Sequence, residues 1–254
     1  MYFDTHAHYY DESFDPDRDE TIKDCYAKGI SMILNASSNL ESAKACVDLA
    51  DKYPFMYAAV GFHPHDAKEF NEDSPEQLMK LCKNPKVRAI GEIGLDYYYG
   101  HSEKDVQKRV FTKQMELARH LNLPVIIHNR DAHFDCMDIV RRFPEVSGEF
   151  HCYSGSAEMA KELLDMGWYL GFGGVVTFKN ARKVIEVLEM CPTDRILLET
   201  DCPYLSPVPN RGKRNDSRNL LYIAEKIAEI KGMDVKELVL TAAENGRSLF
   251  GIKG

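Results

Sequence analysis

The sequence predicts an α/β protein of the (β/α)8, or TIM-barrel, class, and three observations carry that prediction. Its 254 residues match the usual size of such a domain. Eight short β-rich runs alternate with helical segments along the chain. Side chains able to do chemistry gather at the C-terminal ends of those runs, where a barrel keeps its site. One domain spanning 1–254 follows, because no Pro/Ser-rich linker, low-complexity tract or repeat beyond the β/α alternation interrupts it. An open doubly wound sheet competes, but it normally carries a phosphate-binding glycine loop after an early strand. The run GFGGVV (171–176) lacks the G-x-G-x-x-G spacing that loop needs.

The first run, YFDTHAH (2–8), alternates so that Asp4, His6 and His8 share one face and Phe3, Thr5 and Ala7 the other. SMILNAS (31–37) is the second. Capping-box patterns at 38–41 and 74–77, the latter with Pro75 at the first helical position, start the helices on either side of MYAAVGFHP (56–64). VRAIGEIGLD (87–96) is the fourth strand, and 103–121 then places Val106, Val110, Phe111, Met115, Leu117, Ala118 and Leu121 near helical spacing. PVIIHNR (124–130), GEFHCYSG (148–155), WYLGFGG (168–174) and RILLETDCP (195–203) complete the eight. Helices over 216–231 and 234–250 follow, with Gly232 as the break between them.

Composition narrows the class. Lys and Arg number 32 against 40 Asp and Glu, a formal charge of −8, which argues against wholesale coating of nucleic acid but allows a local basic groove. Seven Cys, an odd number without any C-x-x-C, point to reduced thiols and a cytoplasmic protein. No apolar run approaches the roughly 18 residues of a membrane span, and the acidic N-terminus lacks a signal-peptide pattern.

At the strand ends stand His6 and His8, His63 and His65, Glu92 and Asp96, His128 and Arg130, His151, and Glu199 and Asp201. Six of the nine histidines fall there. Singly, His128 and His151 read as satisfied core histidines, and Asp201 as a turn cap before Pro203. Glu92, inside AIGEIG, resists such a reading, because a buried carboxylate is costly unless paired or metal-bound. Together, four imidazoles and two carboxylates at one mouth predict a divalent metal site with the nitrogen and oxygen ligands that Zn²⁺, Mn²⁺ or Mg²⁺ accept. Six ligands exceed the need of one catalytic ion, so two ions with a bridging carboxylate are expected. Glu199, two residues before Asp201, is expected to orient a ligand.

The motifs THAH (5–8), GFHPHD (61–66), GEIGLDY (91–97), IHNRDA (127–132), HCYSG (151–155), ETDCPYL (199–205) and RGKRN (211–215) closely resemble the TatD family of metal-dependent deoxyribonucleases over essentially the whole chain. The resemblance implies that His6, His8 and Asp201 hold one metal, His128 and His151 the other, and that Glu92 bridges them. Many relatives in the wider amidohydrolase superfamily bridge with a carbamylated lysine, and these strand ends contain none. Where the family often reads R-N-E-P, this chain has Arg214-Asn215-Asp216-Ser217, a departure confined to one loop.

The expected activity is hydrolysis of DNA, trimmed from a single-stranded or frayed end, with RNA a possible further substrate and no membrane or obligate protein partner. Asp201 is expected to accept the proton of a metal-bound hydroxide's water, and His63 to assist the leaving group. Arg130, Arg211 and Arg214, with His65, are the expected phosphate contacts. The tyrosines 97–99 and Tyr204 offer stacking faces for bases. A small-molecule ester, lactone or amide hydrolase on the same barrel is the alternative, since fold and metal do not fix the bond cleaved. A metal-stabilised binding protein without turnover is a third reading, disfavoured by the intact ligand set.

Overall fold

A computed structural model describes residues 1–253. Eight strands, β1 (Tyr2–Ala7), β2 (Ile30–Ala36), β3 (Met56–Val60), β4 (Val87–Asp96), β5 (Val125–Arg130), β6 (Gly148–Phe150), β7 (Tyr169–Phe172) and β8 (Ile196–Leu198), hydrogen-bond in one sheet in the order β1 to β8. Between and after them run α1 (Arg18–Ala27), α2 (Leu40–Lys52), α3 (Ser74–Leu81), α4 (Lys104–Leu121), α5 (His133–Arg141), α6 (Ala157–Asp165), α7 (Arg182–Met190), α8 (Leu220–Lys231) and α9 (Val235–Phe250). This is the (β/α)8 barrel that the alternation predicts. Among the described residues no helix is long and apolar enough to cross a membrane.

The chain divides into two compact units. The first, residues 1–35 and 152–248 with the chain from Ile252, contains β7, β8, β1 and most of β2. β1 pairs in parallel with β2, β7 with β8, and a parallel bridge from Ala7 to Cys202 joins the ends of β1 and β8. Phe3, Ile33, Leu34, Leu170, Phe172 and Leu197 are buried here, as is Trp168. The fully buried Asp4 carboxylate ties this unit together. It accepts from the Thr200 N–H (2.9 Å) and hydroxyl (2.6 Å) and from the Ser217 hydroxyl (2.6 Å). Asn215 donates to the carbonyls of Thr200 (2.8 Å) and Tyr204 (2.7 Å), so both sides of the Asp201 turn are held by one amide.

The second unit, residues 36–151 with 249–251, contains β3 to β6, paired in parallel in that order. Its organising helix is α4, whose buried face runs Gln107, Val110, Phe111, Gln114, Met115, Leu117 and Ala118. The two glutamines, seven apart, lie on that apolar stripe because each satisfies a backbone group at a strand end. Gln114 accepts from the Phe62 N–H (2.7 Å) and donates to its carbonyl (3.0 Å), while Gln107 does the same for Asp96 (2.8 and 2.9 Å). One helix thus fixes the residues beside His63 and at the end of β4.

Local chemistry corrects several expected boundaries. Asn39, not Ser38, caps α2, because its carboxamide accepts from the Ser42 N–H while the Ser42 hydroxyl accepts from the Asn39 N–H. Ser74 is the first residue of α3 rather than its cap, and Asp73 precedes it. The expected helix from 216 begins only at Leu220. Asp216 caps a 3-10 turn over Ser217–Asn219, since Ser217 is committed to Asp4. Gly232 closes α8 with φ 63°, the left-handed conformation expected of the break.

Candidate metal centre

Six of the eight strands end earlier than their motifs do, β4 and β5 running to the last motif residue, so much of the chemistry stands on the turns just beyond the strands. His8 follows β1, His63 and His65 follow β3, His151 follows β6, and Glu199 and Asp201 follow β8. Pro64 starts a 3-10 turn over Pro64–Glu69, with the His63 ring accepting from the His65 N–H (3.1 Å). Asp201 has φ 56°, a left-handed conformation that Asp tolerates better than most residues, and its N–H donates to the His6 carbonyl (2.9 Å). Strand alternation therefore stops short of Glu199 and Asp201. The Glu199 carboxylate accepts from the Cys152 N–H (2.6 Å), so it grips the backbone next to His151.

In the first unit His6, His8 and Asp201 bring their donor atoms together. His6 Nε2 lies 3.0 Å from His8 Nε2, and Asp201 Oδ1 lies 3.2 Å from His8 Nε2 and 3.8 Å from His6 Nε2. The convergence of the two imidazoles is the one that an extended H-x-H predicts.

In the second unit Glu92, His128 and His151 form a tighter triangle. Glu92 Oε1 is 2.8 Å from both His128 Nδ1 and His151 Nε2, and those two nitrogens are 3.2 Å apart. His63 Nε2 stands 3.6 Å from the same Glu92 oxygen. Asp96, whose role sequence reasoning missed, backs this group. Its Oδ2 meets His128 Nε2 at 3.0 Å and His65 Nε2 at 3.1 Å, while its Oδ1 accepts from the N–H groups of Tyr98 and Tyr99. Burial opposes ionisation of Asp96, but the hydrogen bonds from His128, His65 and the Tyr99 backbone outweigh it and hold the carboxyl far below the usual carboxylate range. Burial likewise disfavours a charged His128, yet Asp96 and Glu92 together push it up to about 9. A signal existed in the sequence: Asp96 ends the same strand that carries Glu92, as the motif GEIGLD shows.

These triangles fit divalent ions. Ligand bonds of roughly 2.1 Å at tetrahedral or octahedral angles put neighbouring donor atoms about 2.9–3.4 Å apart, close to most of the edges found here. The donors are imidazole and carboxylate throughout, and a carboxylate behind His128 is the usual partner of a metal-bound imidazole. Over residues 3–251 the chain matches the family model described as TatD related DNase.

The chain belongs to the TatD-related DNase family. It is 45% identical to an uncharacterized metal-dependent hydrolase, YabD, of Bacillus subtilis, over 99% of this chain and 100% of that protein. It is 33% identical to a protein named 3'-5' ssDNA/RNA exonuclease TatD from Citrobacter rodentium, over 98% of each. The crystal structure of YjjV, a TatD homologue from Escherichia coli, superposes with a TM-score of 0.93 at 27% identity, over 99% of this chain and 98% of that one. As a member of the TatD family, the chain is a metal-dependent hydrolase acting on ester bonds.

The cationic residues expected to meet phosphate differ in what they touch. Arg130 is exposed, with its guanidinium over the rings of Tyr98 (4.3 Å) and Tyr99 (4.9 Å). Arg211 lies over Phe178 at 3.8 Å. Arg214 closes a two-pronged pair with Asp17 (2.8 and 2.7 Å) and also covers Phe14, so its fork is engaged within the protein. In the loop that departs from R-N-E-P, Asn215 and Ser217 hold the Asp201 turn and Asp4 respectively.

Proposed function

We propose that the chain acts as one hydrolase domain over 1–254, a phosphodiesterase trimming single-stranded or frayed DNA from an end, with RNA as a further substrate. Two divalent ions, Mg²⁺, Mn²⁺ or Zn²⁺, would be held by His6, His8 and Asp201 and by His128 and His151, with Glu92 as the bridge. The observation that carries the reading is the pair of ligand triangles with coordination-length edges, in a chain of a DNase family. Ions held there lower the pKa of water and offset charge on phosphoryl oxygens.

The chain's own groups supply the remainder. Asp201, the more exposed carboxylate of the set, takes the proton lost by the attacking water as the new P–O bond forms. His63, behind Glu92 and buried, returns a proton to the departing sugar oxygen as the old P–O bond breaks. Arg130 pairs its planar fork with the non-bridging oxygens. His65 steadies Asp96, and Glu199 holds the turn after His151. Seven free thiols suit the reducing cytoplasm.

The test is hydrolysis of end-labelled single-stranded DNA by chelator-stripped protein with each ion restored, beside the Glu92→Ala variant. Glu92→Ala is expected to lose a factor on the order of a thousand or more in kcat, with an unchanged far-ultraviolet spectrum. Full activity in that variant would overturn the bridging role, and cleavage of small esters but not DNA would move the assignment to a small-molecule hydrolase.

A further inference from the structure

We infer that Tyr98 and Tyr99, with Arg130 against them, form a stacking platform that takes the unpaired bases of the strand being cut. The inference rests on the nuclease reading and names what selects its substrate. Tyr98 and Tyr99 are 59% and 52% exposed, a large aromatic surface to leave in water. One exposed tyrosine carries no message. Here two are consecutive, their rings lie edge to face at 4.9 Å, and one guanidinium lies over both. Tyr99 continues the array by stacking on His101 and meeting the edge of His65.

The backbone under these rings is pinned, so the exposure is a fixed feature. Both tyrosine N–H groups donate to Asp96 Oδ1 (2.9 and 3.0 Å), and the Tyr97 N–H donates to the Arg130 carbonyl (2.9 Å). Gln107 holds the Asp96 carbonyl and the Ser102 carbonyl from below (2.9 and 2.8 Å). The other oxygen of Asp96 is 3.0 Å from His128 Nε2. One carboxylate therefore joins the aromatic rim to a proposed metal ligand, and a strand stacked there has its backbone beside the centre.

Charge explains why stacking is needed. A chain of formal charge −8 gains little from general attraction to phosphate, so affinity must come from elsewhere. Every base offers an aromatic face, which makes stacking tolerant of sequence. Within a duplex both faces of an internal base are covered by its neighbours, so the platform accepts single strands and frayed ends and rejects intact duplex.

The experiment compares an end-labelled single strand with the same strand carrying abasic sites at its terminal positions, measuring kcat/KM with Mg²⁺ and affinity by fluorescence anisotropy of metal-free protein. Wild type should prefer the intact strand by roughly tenfold to a hundredfold. Tyr98→Ala with Tyr99→Ala should lose that preference, and Tyr98→Phe with Tyr99→Phe should keep it. Equal handling of both strands by wild type, or a retained preference in the double Ala variant, overturns the platform while leaving the nuclease reading standing. Failure of wild type to cut or bind either strand overturns the nuclease reading itself, and the platform with it. Equal handling of the two strands by wild type overturns the platform without any variant, so the test stands even should the Ala variant fold poorly.

Discussion

At the scale of single residues, Asp96 and Arg214 show how the same residue types are put to different uses. Asp96 stands behind His128, so Asp96→Ala should lower Zn²⁺ affinity by about tenfold to a hundredfold. Competition with a metal-binding dye measures this without any nucleic acid. Arg214 pairs instead with Asp17 in a half-exposed fork whose solvent screening limits its worth, and Asp17→Asn should cost no more than about 1 kcal/mol in urea unfolding. The Asp17 carboxyl is held below its usual range by its hydrogen bond to Arg214, so its contribution is present above the unfolded value of 3.8 and is lost as pH falls through the lower folded one. The sequence marked His6, His8, Glu92, His128, His151 and Asp201 because imidazole and carboxylate are rare at strand ends unless used. It did not mark Asp4, whose partners Thr200 and Ser217 lie far along the chain.

At the scale of elements, two joints set where the ligands stand. Gly94 in β4 has φ 137°, and a Cβ there would fall 2.0 Å from the carbonyl oxygen of His128 on β5. Gly94→Ala must push the two strands apart at a proposed ligand, and a loss of about 3 kcal/mol or more is expected in urea unfolding, together with weakened metal binding. Asp4 is the corresponding joint between the ends of β1 and β8. Burial pushes its carboxyl up to about 6 against the hydrogen bonds of Ser217 and Thr200. Asp4→Ala leaves those donors buried and unmatched, and should cost about 3 kcal/mol. Asp4→Asn should cost less, because the hydroxyls of Thr200 and Ser217 can turn to accept from the new amide. The expected helix starts at 38, 74 and 216 each moved for a local reason: Asn39 takes the cap of α2, the Ser74 hydroxyl accepts from the Asn71 N–H and α3 has no side-chain cap, and Ser217 is committed to Asp4. Such choices are settled by local geometry that the order of residues does not display.

At the scale of the molecule, an ion that binds only the folded chain stabilises it by mass action. Saturation at a hundred times the dissociation constant adds about 2.7 kcal/mol. Stripping the metal should therefore lower Tm by roughly 5–10 °C, and restoring it should reverse the shift in a thermal scan. The sequence by itself determined the alternation of strand and helix, the order of the motifs and the identity of the ligand types, because hydrophobic period and residue chemistry are local properties. Only the tertiary structure decided which of Asp4, Asp96 and Asp201 faces a ligand set, which arginine stays exposed and which is paired, and that two glutamines on α4 hold the strand ends. Those outcomes depend on distances between residues remote along the chain, and a hydrogen bond is made or lost within a few tenths of an ångström.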